Sequence, residues 1–273
     1  MRDSLGELLV VCDMDGTLLR SDHTIAPCDM ETIRLFVALG GHFTVATGRT
    51  LRSIDMYAEL AKTIDPAITY GGCVIYDFKK QTAVQSTILP HLAARQCLRD
   101  VLKAFPGLGA MVMGSDLRHY QAAPSLALHG LVQDEMMAYF MRPHEDMPDE
   151  WHKVVFAAHE ELLAEVQAYI AERTYPGVYF VPSGPLYLEM MPKGASKGSA
   201  IHALCDLLGV SIKNTIAIGD YYNDAELMKQ AGHAVAVGNA PEDIKQLADE
   251  VIAPNDEGGV GQYLYKIIRE YEE

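Results

Sequence analysis

Short apolar runs alternate with helical patterns in the first part of the chain. Leu8-Leu9-Val10-Val11-Cys12 is a continuous run of strand-forming residues, typical of a strand buried on both faces, and the polar segment Asp13 to Thr17 ends it. Between Pro27 and Leu39 the apolar residues recur at helical spacing, and a second strand is predicted over His42 to Ala46. This alternation predicts a parallel sheet with crossover helices.

The pattern changes in the middle of the chain. Ile68 to Tyr70 and Val74 to Tyr76 predict a short hairpin around Gly71-Gly72 that closes the first portion. Strand-like runs and amphipathic helical patterns are then mixed, with strands predicted near 110–113, 154–157 and 178–181 and helices near 92–105 and 160–173. This mixture predicts an inserted α+β domain.

The alternation of strands and helices returns after Leu188. In order, the predicted elements are helix 197–208, strand 215–218, helix 224–230, strand 234–237, helix 241–247, strand 251–252 and a C-terminal helix. The predicted fold class is therefore α/β, with a Rossmann-like, doubly wound parallel sheet. We expect a discontinuous core at residues 1–78 and 188–273, with the inserted α+β domain at 79–187.

Composition and charge narrow the classes of function. The formal net charge is -15, from 22 Lys and Arg against 37 Asp and Glu, and no basic block stands out, so we expect no nucleic-acid partner. The apolar runs are far shorter than the ~20 residues of a membrane span, and Met1 to Ser4 carries no feature of a leader, so we expect a cytoplasmic protein. Five scattered cysteines without a C-x-x-C pair indicate reduced thiols.

Asp13 and Asp15 are the first candidate catalytic residues, because they follow a buried strand at the edge where open α/β sheets hold their ligands. Residues i and i+2 of an extended chain point to one side, so Asp13 could attack an electrophile while Asp15 handles the leaving group's proton. A plain polar turn is the alternative. An EF-hand fits worse, because Leu18 and Thr24 stand where that loop needs Gly and Glu.

Two other segments offer groups for an anion. Thr47-Gly48-Arg49 follows the second core strand and precedes a helix, where a hydroxyl and backbone N–H groups can hold an anion. Lys197 begins a predicted helix, where a cation opposes the helix dipole unless an anion lies nearby. Taken singly, an ordinary turn and a solvated lysine are the simpler interpretations, and Lys193 competes with Lys197.

Further carboxylates stand in Gly219-Asp220-Tyr221-Tyr222-Asn223-Asp224, again after a buried strand. Neighbouring parallel strands end side by side, so these carboxylates are expected to converge with those of Asp13 and Asp15. Such a cluster repels itself without a cation, and a donor set of oxygens alone suits Mg²⁺. The candidate metal ligands are Asp13, Asp15, Asp220 and Asp224.

These motifs resemble the haloacid dehalogenase (HAD) superfamily, and within it the Cof-type, subfamily IIB phosphatases with the large type-two (C2B) cap. The matching segments are, in order, Asp13-x-Asp15-Gly16-Thr17-Leu18-Leu19, Thr47-Gly48-Arg49, Ser196-Lys197-Gly198, Gly219-Asp220-x-x-Asn223-Asp224-x-x-x-Met228, Val237-Gly238-Asn239-Ala240-Pro241-Glu242 and Asn255-Asp256-Glu257-Gly258-Gly259-Val260. The resemblance covers the whole chain and implies a cap at 79–187. The chain departs from the subgroup at Gly71-Gly72, where an Asn-Gly pair is usual.

The resemblance also implies roles for single residues. Asp13 would be the nucleophile that forms an aspartyl-phosphate, and Asp15 would protonate the departing alkoxide and later activate water. Lys197, rather than Lys193, would neutralise the nucleophile and the phosphoryl group. Magnesium would be held by Asp13, the backbone carbonyl of Asp15 and Asp220, with Asp224 as a ligand or a support. The implied phosphate-binding residues are Met14, Thr47, Gly48, Arg49, Lys197 and Asn223.

The implied function is a Mg²⁺-dependent phosphatase of small phosphorylated metabolites, with sugar phosphates ranked first. Cofactor-type phosphates, such as pyridoxal phosphate, flavins or flavin precursors, come second. This function competes with that of a phosphotransferase or mutase and with that of a non-catalytic ligand-binding module. The candidate cap contacts to the leaving group, each of which also fits ordinary surface or core, are His119, Tyr120, Arg142, His144 and Trp151.

Overall fold

The computed structural model of the protein describes residues 5–272. The expectation drawn from Met1 to Ser4 and the two ends of the predicted core therefore concern residues outside the described range. The strands are β1 (Leu9–Cys12), β2 (His42–Val45), β3 (Ala67–Thr69), β4 (Val74–Asp77), β5 (Thr82–Ser86), β6 (Gly109–Gly114), β7 (His119–Ala123), β8 (Tyr139–Met141), β9 (Trp151–Ala157), β10 (Val178–Gly184), β11 (Tyr187–Pro192), β12 (Thr215–Gly219), β13 (His233–Val237) and β14 (Glu250–Ile252).

The helices alternate with these strands. They are α1 (Pro27–Ala38), α2 (Leu51–Asp55), α3 (Ala58–Thr63), α4 (His91–Ala104), α5 (Leu126–Asp134), α6 (Glu160–Ala171), α7 (Lys197–Leu208), α8 (Ala225–Gln230), α9 (Glu242–Lys245) and α10 (Gly259–Glu272). In the part of the chain that the structure describes, no helix combines the length and the apolar character that crossing a membrane requires.

The described chain divides into two compact units. The first contains residues 5–48, 57–85 and 196–272, and the second contains Arg49–Met56 and Ser86–Ala195. The second unit extends beyond residue 187, where the inserted domain was expected to end, because β11 is hydrogen-bonded between β9 and β10. The short segment 49–56 also groups with the second unit rather than with the chain around it.

The first unit is built on a parallel sheet in the order β14-β13-β12-β1-β2. Leu9 of β1 pairs with Thr215 on one side and with His42 on the other. All four residues of β1 and all five of β12 are buried, which explains why these strands are continuous apolar runs. In α7, Ile201 and Leu204 pack into the same core cluster as Leu9. The predicted α/β fold with a parallel sheet is confirmed.

A small antiparallel sheet in the order β3-β4-β5 completes the first unit. Its first two strands pair through Ile68 and Ile75, as the predicted hairpin requires. The strand β5 was not predicted, because all five of its residues are exposed and its side chains follow no apolar alternation.

The second unit is built on a largely antiparallel sheet in the order β10-β11-β9-β6-β7-β8, in which only the β7–β8 pair is parallel within the described strands. Buried residues of α4 and α6, such as Leu98 and Val166, form one core with Val112, Val154 and Phe156 of the sheet. The inserted α+β architecture is therefore present. Its strands β7, β8 and β11 and its helix α5 were not predicted.

Candidate active site

Asp13 lies at the carboxyl end of β1, one residue beyond the strand. Its backbone N–H donates to the carbonyl of Ile218 at 2.8 Å, which holds Asp13 against the end of β12. Asp220 follows β12 directly, and Asp224 lies four residues further on. One oxygen from each of Asp13, Asp220 and Asp224 lies within 4.8 Å of the other two. The expected convergence of carboxylates at this sheet edge is therefore present for these three residues.

Asp15 does not join this cluster with its carboxylate and is exposed. The turn that carries it is tight, because the carbonyl of Met14 accepts backbone N–H groups from Thr17, Leu18 and Leu19. Gly16 has a φ of +76°, and a Cβ there would lie 2.4 Å from Oδ2 of Asp220. Only glycine lets this turn approach the cluster so closely.

Lys197 bridges two members of the cluster. Its Nζ donates to Oδ1 of Asp13 at 2.6 Å and to Oδ1 of Asp224 at 2.7 Å, and all three side chains are buried. Burial alone lowers the pKa of this lysine, but the two carboxylates outweigh that effect and raise it above the ordinary value of 10.5. The competing Lys193 is exposed.

Two further oxygens of the cluster have defined partners. Oδ2 of Asp224 accepts the backbone N–H groups of Asp220 and Tyr221 at 3.2 and 3.3 Å, so both of its carboxylate oxygens are engaged. Thr17 Oγ1 donates to Oδ1 of Asp220 at 2.9 Å. Asp224 therefore orients Lys197 and the backbone that leads out of β12.

The cluster contains more negative than positive charge, since Asp13, Asp220 and Asp224 surround the single ammonium of Lys197. Burial, and next the neighbouring Asp224 carboxylate, raise the pKa of Asp13 well above its ordinary value of 3.8, although Lys197 lowers it in part. The same two causes raise the pKa of Asp220 to about 6. A divalent cation would relieve this repulsion, and the oxygen-only donor set fits a hard cation such as Mg²⁺.

The segment with Thr47 and Gly48 follows β2, the neighbour of β1. Thr47 is buried, its N–H donates to the carbonyl of Ile68 and its own carbonyl accepts from Gly71, both at 2.9 Å. The third residue of the motif, Arg49, is buried in the second unit, where its guanidinium donates to Ser53 Oγ.

The Gly71-Gly72 pair lies at a close approach of two backbones. Tyr70, Gly71 and Gly72 have φ values of 51°, 70° and 104°. A Cβ on Gly72 would lie 2.2 Å from the carbonyl of Ser196, which begins the motif that carries Lys197. Because Gly71 also contacts Thr47, this turn connects two of the predicted motifs. Its role was missed, although adjacent glycines after a strand indicate positive φ.

Asn223 stands in the short 3₁₀ turn Tyr222–Asp224. Its Oδ1 is buried and has no hydrogen-bond partner among the described residues. A buried polar atom without a partner costs about 1–3 kcal/mol, and a bound ligand, ion or water is one way to supply the missing partner. Met14, in contrast, is fully buried, so its backbone N–H is the group it can offer to a phosphate.

Two asparagines support the Asp15 turn, and neither had been given a role. Nδ2 of Asn239 donates to the carbonyl of Gly16 at 2.7 Å, and Nδ2 of Asn255 donates to the carbonyl of Leu19 at 2.8 Å. The two are linked to each other, because the N–H of Asn255 donates to Oδ1 of Asn239 at 3.1 Å. The two matching segments nearest the C-terminus, 237–242 and 255–260, therefore hold the loop that carries Asp15.

The candidate residues of the inserted domain have partners inside the second unit. Their contacts are His119 Nδ1 with Ala138 O at 3.2 Å, Tyr120 OH to Asp116 at 2.6 Å, Arg142 over the ring of Tyr120 at 5.8 Å, His144 with Glu145 at 3.1 Å and Trp151 Nε1 to Pro148 O at 2.6 Å. These contacts give each residue a structural role within the second unit. A contact of any of them with a leaving group stays a prediction.

Known proteins share both the sequence pattern and the fold. A family model described as haloacid dehalogenase-like hydrolase matches residues 10–264. A Bacillus subtilis protein named 5-amino-6-(5-phospho-D-ribitylamino)uracil phosphatase is 26% identical over 267 residues, which cover 94% of this chain and 96% of that protein. A solved haloacid dehalogenase-like hydrolase from Bacteroides thetaiotaomicron has a TM-score of 0.84 at 25% identity, covering 95% of this chain and 99% of that one.

A HAD subclass IIB sugar phosphatase shares the fold, with a TM-score of 0.83 at 22% identity over 95% of this chain and 98% of that one. Because the family model spans most of the sequence, the chain belongs to the haloacid dehalogenase-like hydrolase family. The resemblance, the fold class with its additional sheet and the enzyme class, a hydrolase of this family, are confirmed.

Proposed function

We propose that the protein is a Mg²⁺-dependent phosphatase of small phosphate monoesters that works through an aspartyl-phosphate on Asp13. The observation that carries the proposal is the buried Lys197 ammonium between Asp13 and Asp224, inside an excess of carboxylates. Phosphoryl transfer needs mainly positioning and charge neutralisation. An ammonium at the nucleophile supplies the charge neutralisation, both for the attacking carboxylate and for the phosphoryl oxygens.

Asp13, Asp220 and the backbone carbonyl of Asp15 are the proposed ligands of Mg²⁺. Asp224 belongs to the same cluster, but because its two oxygens already accept hydrogen bonds, we assign it to holding Lys197 and the backbone of residues 220–221. When bound, Mg²⁺ supplies positive charge that holds and polarises the phosphoryl oxygens. Of the two roles that the resemblance left open for Asp224, we therefore propose the supporting one.

The reaction proceeds in two displacements at phosphorus. In the first, an oxygen of Asp13 attacks, the bond from phosphorus to the ester oxygen breaks, and Asp15 gives its proton to the departing alkoxide. In the second, Asp15 takes a proton from water, the water oxygen attacks phosphorus, and Asp13 leaves as a carboxylate. The exposed position of Asp15 beside the buried Asp13 supports this division of roles.

The phosphoryl oxygens are bound by groups at the ends of neighbouring strands. We assign the hydroxyl of Thr47, the backbone N–H groups of Met14 and Gly48, Lys197 and the amide of Asn223 to this task. The buried, unpartnered Oδ1 of Asn223 supports its inclusion, since either end of an amide can be turned to a ligand. Arg49, which belongs to the second unit, stays a predicted member of this set.

Sugar phosphates remain the first substrate class and cofactor-type phosphates the second. The name of the Bacillus relative describes a phosphorylated ribityl chain on a uracil ring, which combines features of both classes. We also propose that the substrate is a small molecule, that the protein has no nucleic-acid partner and that it is cytoplasmic. A phosphotransferase or mutase remains the alternative in the same chemistry, and a binding module the alternative without turnover.

The test is phosphate release from p-nitrophenyl phosphate, glucose 6-phosphate, pyridoxal phosphate and flavin mononucleotide, with Mg²⁺ or with a chelator. We expect Mg²⁺-dependent release that Asp13→Asn reduces by about 10³-fold or more. Asp206→Asn, an exposed change on α7, is the matched control and keeps the activity. Release that survives full chelation, or equal release by Asp13→Asn, contradicts the proposal. Transfer to an added acceptor in excess of release favours a phosphotransferase.

A further inference from the structure

A cavity of about 320 Å³ lies beside Asp15 in the first unit. Asp15 and Gly16 line one part of it, and Arg20, Ser21 and His23 line another. We call this cavity the Arg20 pocket. Its volume is at the lower end of the range for small-molecule sites. Apart from Asp15, the residues of its lining have no part in the proposed nucleophile or metal site.

The carboxylate of Asp256 and the amide oxygen of Asn239, both in the wall of the Arg20 pocket, are already engaged. The two carboxylate oxygens of Asp256 accept the N–H and the hydroxyl of Ser21, each at 2.7 Å. Oδ1 of Asn239 accepts the N–H of Asn255 at 3.1 Å. These groups build the wall, and a ligand that brings only donors would find few acceptors in them.

Arg20 differs from the rest of the wall. Its Nε is buried and has no hydrogen-bond partner among the residues that the structure describes. Hydrogen bonds from Thr24 hold the pKa of Asp22 below its ordinary value, and hydrogen bonds from Ser21 do the same for the pKa of Asp256. The positive charge of Arg20 lowers both pKa values to a lesser extent. The neighbouring carboxylates therefore use other donors, and the guanidinium keeps donor capacity for an acceptor-rich group.

The backbone holds Arg20 and His23 in place. The N–H of Arg20 donates to the carbonyl of Thr24 at 2.8 Å, and the N–H of His23 donates to the carbonyl of Arg20 at 2.9 Å. His23 has a φ of 60°, and its carbonyl accepts the hydroxyl of Tyr57 at 2.8 Å. This fixed turn presents the side chains of Arg20 and His23 at one cavity, so binding needs little rearrangement.

We propose that the Arg20 pocket binds an anionic group, a carboxylate or a second phosphate, carried by the leaving group of the substrate, with Arg20 as the specificity-determining residue. The inference rests on the proposed phosphatase function. Asp15, which lines the pocket, gives its proton to the departing alkoxide, so the leaving group departs on this side. The planar guanidinium matches carboxylate and phosphate geometry, and Lys or Gln would not reproduce that match.

Two pairs of substrates test the proposal, and the members of each pair differ only by a carboxylate in place of a CH₂OH group: 6-phosphogluconate against glucitol 6-phosphate, and 3-phosphoglycerate against glycerol 3-phosphate. The readout is the ratio of kcat/KM within a pair, which cancels any general loss of activity. In the wild type we expect the carboxylate to be favoured by about tenfold or more in at least one pair. Arg20→Gln brings the ratio to about one, Arg20→Lys leaves an intermediate ratio, and Arg99→Gln, an exposed change on α4, keeps the wild-type ratio.

A second measurement separates an anion on the leaving group from a free anion. Malonate is added to metal-free protein and the midpoint of thermal unfolding is followed in the wild type and in Arg20→Gln. Pair ratios near one in the wild type overturn the proposal. If malonate then still protects the wild type through Arg20, the pocket is a free-anion site, and without protection it binds no anion.

The failure of the proposed phosphatase function gives a different result. In that case the wild type releases no phosphate from p-nitrophenyl phosphate at saturating Mg²⁺. The effect of malonate on the midpoint of thermal unfolding is then the only test of the Arg20 pocket. Protection that disappears in Arg20→Gln supports an anion-binding Arg20 pocket, and equal midpoints with and without malonate overturn it. A purely structural role of Arg20 would lower the midpoint and leave the pair ratios unchanged.

Discussion

Each of the two units contains a buried lysine, and the two lysines stand in different surroundings. Lys197 lies at the carboxyl edge of a parallel sheet and donates to two of three clustered carboxylates. Lys153 lies within β9 of an antiparallel sheet and donates to Glu189 of the neighbouring β11 at 2.9 Å. In the first unit the carboxylates exceed the ammonium, as the proposed cation and phosphoryl site requires, whereas the Lys153–Glu189 ion pair joins two strands.

The largest effect is expected at Lys197. We predict that Lys197→Met lowers kcat for phosphate release by about 10³-fold, because the attacking carboxylate and the phosphoryl oxygens lose their ammonium. Phosphate release at saturating Mg²⁺ measures this, and far-UV circular dichroism shows that the variant is folded. Lys229→Met, an exposed change at the end of α8, is the control and keeps kcat. A Lys197→Met variant within tenfold of the wild type would contradict the assignment.

The second prediction concerns the pair in the other unit. Lys153→Met leaves Glu189 buried without its ammonium, so we expect the free energy of unfolding to fall by about 3 kcal/mol. The double variant Lys153→Met/Glu189→Leu removes both charges and is expected to regain most of that loss. Urea unfolding of the single and double variants measures both. A double variant as unstable as the single one would show that the pair does more than join β9 and β11.

The smallest effect is expected at Asp29, a buried carboxylate of the first unit outside the cluster. Its Oδ1 accepts the N–H of Gly261 at 2.6 Å, which links α1 to the first turn of α10. Burial raises its pKa from 3.8 to about 6, although that hydrogen bond opposes the shift. The folded protein thus holds the proton more tightly than the unfolded chain, and stability is lost as pH rises from about 4 to about 6.

Asp29→Asn keeps the acceptor for Gly261 and removes the ionisation. We therefore expect the variant to be more stable than the wild type at pH 7 by about 1–2 kcal/mol, with the difference vanishing near pH 4. The helix N-terminus favours the carboxylate and keeps the gain small. Urea unfolding at several pH values measures it. A variant less stable than the wild type at pH 7 would show that the ionised carboxylate stabilises the helix junction.

The Lys197 cluster could be predicted from the sequence, whereas the Lys153–Glu189 pair could not. Asp13 and Asp220 follow buried apolar runs, and parallel strands end at one edge, so their meeting follows from local patterns and topology. Lys153 and Glu189 stand 36 residues apart in the chain and meet through antiparallel register, in which Val155 pairs with Glu189. No periodicity in either strand indicates that register.

Two other features could not be predicted from the sequence for the same reason. The Gly72 turn is shaped by the backbone of Ser196, 124 residues away in sequence, with which it would collide if it carried a Cβ. All three residues of β8 are exposed and the strand pairs with β7 in parallel, so it carries none of the alternation that identifies a half-buried strand. Contacts between distant segments, rather than local preference, determine both.

The most direct test of the account is to trap the nucleophile. The protein is mixed with Mg²⁺ and a substrate that it hydrolyses, quenched during turnover and treated with borohydride, which reduces an aspartyl-phosphate to homoserine. Mass spectrometry of the peptides then locates the change. The account predicts homoserine at position 13, dependent on substrate and on Mg²⁺ and lost in Asp13→Asn. Reduction at another residue would contradict the central role of Asp13, as would steady phosphate release by Asp13→Asn.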